Sequence, residues 1–181
     1  MISVHEVVDA ELDDRAVGEH RCVDHVGLRT PERAVRPGDE HGREDLDRVG
    51  LDLVQLHGEE GPAFVGRFGD RAIKVFRVGA DFDPAALSDF PDVWGYLFDC
   101  DHPTLVGGSG VAWSYERVAD VSRSKPVIVA GGLRPSNVAQ AIAKSGADIV
   151  DVSSGIESQP GIKDPESMER FIHEVHHAEE E

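Results

Sequence analysis

From Leu51 onward, short apolar runs recur with helix and turn signals between them, and this recurrence constrains the fold more than any other feature. Leu51-Asp52-Leu53-Val54-Gln55-Leu56 reads as a buried strand, followed by a helical stretch to about Phe68. Residues 72–78, 96–99, 126–130 and 148–152 read as four more strands. Residues 84–90 suit a helix ahead of the third strand. Residues 135–145 carry Pro135 near a helix start, Val138, Ala141 and Ile142 at helical spacing, and Gly146 at the end. Met168, Phe171, Ile172 and Val175 follow the i, i+3, i+4, i+7 rule of an amphipathic helix. Strands alternating with helices imply α/β architecture with a parallel sheet. The strand starts lie about 25 residues apart, the interval of a (β/α)8 TIM barrel. These five are then strands 4 to 8.

Three further units need roughly 75 residues at that interval, and only 50 precede Leu51. Those residues are of another kind. They hold seven Arg and thirteen Asp or Glu, with no Lys, Phe, Trp or Tyr; every one of those aromatics lies from Phe64 onward. Residues 4–8 suit one strand or helical turn, but no periodicity is sustained from 19 to 47. Too little apolar surface is available there to offset ordering entropy. The expectation is two segments: residues 1–49, acidic, Arg-containing and poorly structured or aberrant, and residues 50–181, the barrel part. The first three units are incomplete or aberrant, leaving the edges of strands 4 and 8 open. Translation of GC-rich DNA in another frame, truncation and gene decay each account for such a composition.

Charge narrows the function classes. The net charge is −17, from 35 Asp and Glu against 18 Lys and Arg. Nonspecific nucleic-acid binding needs a basic face and is not expected. Acidity spread along the whole chain is tolerable where salt screens it. No apolar run approaches a membrane span, and the first residues lack the order of a signal peptide, which places the chain in the cytoplasm. Cys22 and Cys100 have no metal-ligand spacing, which argues against a disulfide or a structural zinc site.

Barrel enzymes carry their chemistry at the C-terminal ends of the strands. Strand 4 ends in Gln55-Leu56-His57-Gly58. Strand 6 ends in Phe98-Asp99-Cys100, with Gly107-Gly108-Ser109-Gly110 beyond it. Strand 7 ends in Ala130-Gly131-Gly132-Leu133-Arg134-Pro135-Ser136-Asn137, and strand 8 in Asp151-Val152-Ser153-Ser154-Gly155-Ile156-Glu157. Gly131, Gly132 and Gly155 admit close approach of a ligand to bare backbone, and Ser153 and Ser154 add hydroxyls. A lone Gly-Gly is most simply a tight turn. Two such loops after consecutive strands favour phosphate. The run 107–110 is either a linker or a lid. Asp99, closing a buried strand, is either a capping carboxylate or a general acid.

Val54-Gln55-Leu56-His57-Gly58, Phe98-Asp99 with the later Gly-Gly-Ser-Gly, residues 130–138, and residues 151–157 with Pro160-Gly161-Ile162-Lys163-Asp164 resemble the phosphoribosylanthranilate isomerases in content, order and spacing. The resemblance runs from about residue 50 to the end. It implies an Amadori rearrangement in tryptophan biosynthesis. N-(5-phosphoribosyl)anthranilate becomes 1-(2-carboxyphenylamino)-1-deoxyribulose 5-phosphate, without metal or organic cofactor. It implies Asp99 as the general acid that protonates the furanose ring oxygen. His57, Gly108, Ser109, Gly110, Gly131, Gly132, Ser153, Ser154 and Gly155 are implied around the substrate and its phosphate.

The family's general base is a Cys ending strand 1 in a Lys-Ile-Cys-Gly-like motif, and its substrate-binding Arg ends strand 2. Neither motif occurs here. Cys22 sits among polar residues, 32 positions before Val54, too few for a strand-1 place. Cys100 follows Asp99 directly and points the other way on an extended chain. The expectation is an isomerase by descent with impaired turnover. The alternatives are a noncatalytic phosphosugar-binding barrel remnant and another phosphate-binding barrel enzyme. An epimerase would want metal-binding His and Asp beyond His57, and an indole-glycerol-phosphate synthase would want a Lys and Glu set that the strands lack.

Overall fold

A computed structural model describes residues 2–3, 21–24, 42–79, 81–99, 115–119, 121 and 124–178. The elements are β1 (Ile2–Ser3), β2 (Arg21–Asp24), α1 (Gly42–Val49), β3 (Val54–Leu56), α2 (Pro62–Val65), β4 (Ala72–Arg77), β5 (Gly95–Asp99), α3 (Glu116–Ala119), β6 (Val127–Ala130), α4 (Val138–Ser145), β7 (Ile149–Val152), the hairpin strands β8 (Glu157–Gln159) and β9 (Ile162–Lys163), and α5 (Pro165–His177). The chain thus supplies the five expected strands, β3 to β7, as one parallel run in sequence order. This is an incomplete (β/α)8 barrel. Residues 84–89 form a 3-10 helix, opened by Pro84 and capped by the Asp83 side chain on Ala85 N–H.

Both faces of this sheet are covered, which is why its strands are continuously apolar rather than alternating. Ile73, Val75, Leu97, Ile128 and Ala130 gather on the inner face with Leu53, Trp94 and Ile149. Their neighbours Val54, Leu56, Ala72, Phe98, Val127 and Val129 pack on the outer face, against α1, α2 and the 3-10 segment. Val150 and Val152 pack outward against α4 and α5 through Val138, Ile142, Phe171 and Val175. The inner layer stops at the C-terminal strand ends, and the cleft begins there.

The two edges expected to be open are both paired. β1 lies antiparallel on β3, and β2 lies parallel on β7. Ladder hydrogen bonds need only main chain, so strands without an apolar pattern can take these places. β2 therefore stands beside strand 8, where strand 1 of a closed barrel would lie. This corrects the reading of Cys22 as too near Val54 for that place, since distance along the chain does not fix the order of pairing. The register sets Cys22 opposite Val150, and Val23 opposite Asp151.

α1 falls within the segment expected to be poorly structured. Its charged sequence offers Leu46 as its one described buried apolar side chain. The helix is held from outside by tertiary contacts. Arg71 pairs with Asp47, bonds the Leu51 carbonyl and donates to the Asp52 carbonyl at 2.9 Å. Arg43 pairs with Asp70. Residues 4–8 lie outside the described residues. No described helix is long and apolar enough to cross a membrane.

Candidate active site

The C-terminal ends of β3, β5, β6 and β7 enclose a cleft of about 290 Å³. Its walls are Gln55 and His57, Leu97 and Asp99, residues 130–133, Asp151, and residues 153–155. Of the residues singled out in the sequence, His57, Asp99, Gly131, Gly132, Ser153, Ser154 and Gly155 thus meet in one place. Gly108, Ser109 and Gly110 lie outside the described residues, as does Cys100.

The β6 and β7 loops form one wall from main chain. Gly131 and Gly132 take φ of 85° and 64°, left-handed conformations that L side chains rarely adopt. Asn137 locks this turn. Its Nδ2 donates to Gly132 O at 3.1 Å, and its Oδ1 accepts from Arg134 N–H at 2.7 Å. Gly155 touches the neighbouring loop so closely that an added Cβ would lie 1.7 Å from Leu133 O. The two loops are thus backbone against backbone, with room beside them for an anion's oxygens.

A hairpin clasps the second loop from behind. Lys163 Nζ donates to Ser153 O at 2.8 Å and to Glu157 Oε1 at 3.0 Å. Glu157 Oε2 accepts from Gly161 N–H at 3.1 Å. The Gly161 hydrogen bond, then Lys163, hold the Glu157 carboxyl below its ordinary range. Asp164 N–H donates to Ile156 O at 2.8 Å, which ties the hairpin's return to the same turn.

The opposite wall is built from side chains. His57 Nε2 lies 3.0 Å from Asp99 Oδ2, with the two side chains 28% and 17% exposed. The separation suits an ion pair but lacks hydrogen-bond geometry, so the contact is electrostatic once the ring is protonated. A carboxylic acid here, shielded yet open to the cleft, is placed to deliver a proton to a ligand oxygen. Among the described residues, no group of three His, Cys, Asp or Glu side chains could hold a metal ion.

Asp151, Gln55, Leu97, Leu133 and Asn137 were not singled out in the sequence. Asp151 had a visible signal: a carboxylate in an apolar strand, on the opposite face from Val150 and Val152. Asn137 had the weaker signal of an Asn before a helix.

The family model described as N-(5′-phosphoribosyl)anthranilate isomerase matches residues 40–174. The N-(5′-phosphoribosyl)anthranilate isomerase of Citrifermentans bemidjiense is 47% identical over 129 residues, covering 71% of this chain and 62% of that protein. The chain thus spans rather less than two thirds of that relative's length. Among solved structures, phosphoribosyl anthranilate isomerase from Thermotoga maritima superposes with a TM-score of 0.62 at 32% identity, covering 80% of this chain and 71% of the other. A phosphoribosyl anthranilate isomerase in complex with reduced 1-(o-carboxyphenylamino)-1-deoxyribulose 5-phosphate gives a TM-score of 0.56 at 29% identity, covering 76% and 66%.

Proposed function

This chain belongs to the N-(5′-phosphoribosyl)anthranilate isomerase family, and from that premise we propose that its cleft binds N-(5-phosphoribosyl)anthranilate and works on the Amadori rearrangement of tryptophan biosynthesis, in the cytoplasm. The observation that carries this reading is the facing of Asp99 and the paired loops at 131–132 and 153–155 across one cleft. The phosphate sits on the main-chain wall, held by N–H groups and the Ser153 and Ser154 hydroxyls. Glycines there keep Cβ atoms out of its way.

With the phosphate on that wall, the ribose lies toward Asp99. The Asp99 carboxyl gives its proton to the furanose ring oxygen as the bond from that oxygen to C1′ breaks. The nitrogen lone pair forms the C1′=N bond, leaving a cationic imine and a free hydroxyl. Loss of the C2′ proton then sends its electron pair into the imine, giving the enolamine that tautomerises to the ketose. The imine is the electron sink, so no metal or organic cofactor enters. His57 stands beside the carboxyl, its Nε2 3.0 Å from Asp99 Oδ2.

The base for the C2′ proton is the weak part. Cys22 holds the register position of Val150 rather than of the cleft-lining Asp151. We assign it no catalytic role, and expect ring opening to be better served than proton removal. A noncatalytic phosphosugar binder is the second reading, favoured by a phosphate wall complete without any base. The division into an N-terminal segment, 1–49, and a barrel part, 50–181, belongs to the same proposal, with α1 fastening one to the other through Leu46 and Arg71.

The test is to give the 181-residue chain N-(5-phosphoribosyl)anthranilate and follow anthranilate fluorescence, with calorimetric binding of the reduced product analogue alongside. Analogue binding with slow turnover is the expected result. Binding without any turnover selects the second reading, and absence of binding removes both.

A further inference from the structure

Behind the His57 wall, on the outer face of the sheet, lies a buried ion pair that the chemistry above does not use. Lys74, in the middle of β4, has a side chain only 5% exposed, and its partner Glu60 is 14% exposed. The ammonium donates to Glu60 Oε2 at 2.9 Å and to Gly58 O at 2.8 Å. Glu60 Oε2 also accepts from Gly58 N–H at 2.9 Å. Both polar groups of the residue following His57 are therefore fastened to one pair. Phe90 closes over the ammonium, its ring centroid 5.7 Å from Nζ.

Stability alone does not call for an ion pair here. A buried pair exchanged for apolar side chains of similar volume often leaves a protein as stable or more so. What an apolar side chain cannot do is bind a particular carbonyl and, through Glu60, a particular N–H. The main chain that carries His57 leaves β3 at Leu56, and the next fixed point along it is this clamp on Gly58. Between the two fastenings stands His57, whose ring reaches Asp99 at 3.0 Å.

We propose that Lys74 and Glu60 are positioning residues: by clamping Gly58 they set His57 against Asp99. The inference rests on the reading of Asp99 as the acid for its significance, but not for its test. Without the clamp the residue 57–60 loop relaxes, and the ring and the carboxyl no longer sense each other at contact distance.

The experiment measures that coupling directly in the ligand-free chain, by the NMR resonances of the His57 ring at one fixed pH. Asp99→Asn changes the group facing the ring at 3.0 Å and should move its Hε1 and Nε2 resonances. In a Lys74→Met background the same substitution should move them by less than half as much. Asp151 of β7 lines the same cleft and is unchanged in both backgrounds, so the difference isolates Asp99. A purely structural Lys74 would change the thermal midpoint and leave the coupling whole. Undiminished coupling in folded Lys74→Met overturns the proposal. Should that variant not fold, Glu60→Ala should lose the coupling while Glu60→Gln, which keeps an acceptor for Gly58 N–H, retains it. Equal coupling in those two overturns it as well. None of these readings needs turnover or bound substrate, so failure of the isomerase reading would appear separately, in the fluorescence and calorimetry.

Discussion

At the β6 and β7 end of the cleft the ligand surface is main chain, with Gly155 pressed onto the Leu133 carbonyl. At the β3 and β5 end it is two titratable side chains, His57 and Asp99. On the proposed reading the first wall binds by shape and fixed N–H dipoles, which do not titrate and cannot swing away. On that reading the second works by moving a proton, so it needs groups whose charge changes. Binding and chemistry are thus assigned to different materials. Substitutions should separate them: on the main-chain wall they should act on affinity, and on the side-chain wall on rate.

The largest effect is expected from a charge placed on the binding wall. In Ser154→Asp, a carboxylate about 4 Å from the phosphate at an effective dielectric near 20 opposes it by about 4 kcal/mol. That is about a 10³-fold loss of affinity for the product analogue. Calorimetry showing unchanged binding would take this loop out of the site. Next is Asp99→Asn, made in a chain supplied with an intact N-terminal third so that turnover is measurable. It should lower turnover by about 10²-fold with affinity nearly unchanged. A large loss of binding with little loss of rate would reverse the assignment of the two walls.

Gly155→Ala should come third. The added Cβ must push the two loops apart, costing about 1–3 kcal/mol of stability as an overpacking defect and roughly tenfold in analogue affinity. Thermal unfolding beside calorimetry reads both. A variant as stable and as tight as the parent would mean the loops are not in contact in solution.

The smallest effect is one the two walls share, through the carboxylates behind them. At Glu60, burial pushes the carboxyl up, but the Lys74 and main-chain hydrogen bonds together with the Lys74 charge outweigh it and leave it below the ordinary range. Glu157 is lowered by Gly161 and Lys163. A folded value below the unfolded one means that stabilisation is complete above the ordinary carboxylate value, about 4.3. It is lost as pH falls through the lower folded value. Stability should therefore be flat with respect to these groups near neutrality and decline in acid. Glu60→Gln and Glu157→Gln should each make the acid decline shallower, which urea denaturation from pH 6 to pH 3 can follow. A steeper decline in either variant would reverse the sign.

The same contrast explains what could be read before the fold was known. β3 to β7 were legible because a parallel sheet covered on both faces writes itself as apolar runs, and Pro135 and Gly146 bracket the fourth helix. The main-chain wall was legible through its glycines, since a residue without a side chain has few other uses at a strand end. Helix α1 was not legible. It is held by Arg71 on Asp47 and by Asp70 on Arg43, from a segment more than twenty residues away, and a local pattern carries no trace of that. Strand β2 was hidden for a related reason, because its partner β7 lies over a hundred residues on. The clamp of Lys74 and Glu60 left one faint mark, a lysine inside an apolar strand. Nothing in the sequence says that its ammonium reaches back to Gly58.

The contact between Gly155 and Leu133 also bears on how this site can change over generations. Two loops that share a surface without side chains between them cannot drift separately; a shift in one is inherited at once as a misfit in the other. If position 155 were randomised and variants selected for phosphosugar binding, glycine alone should return, while the adjoining serines would accept a wider set. New ligand preferences in descendants of this chain should therefore arise at the β3 and β5 end, where side chains can be exchanged one at a time and the anchor for the phosphate is left as it was.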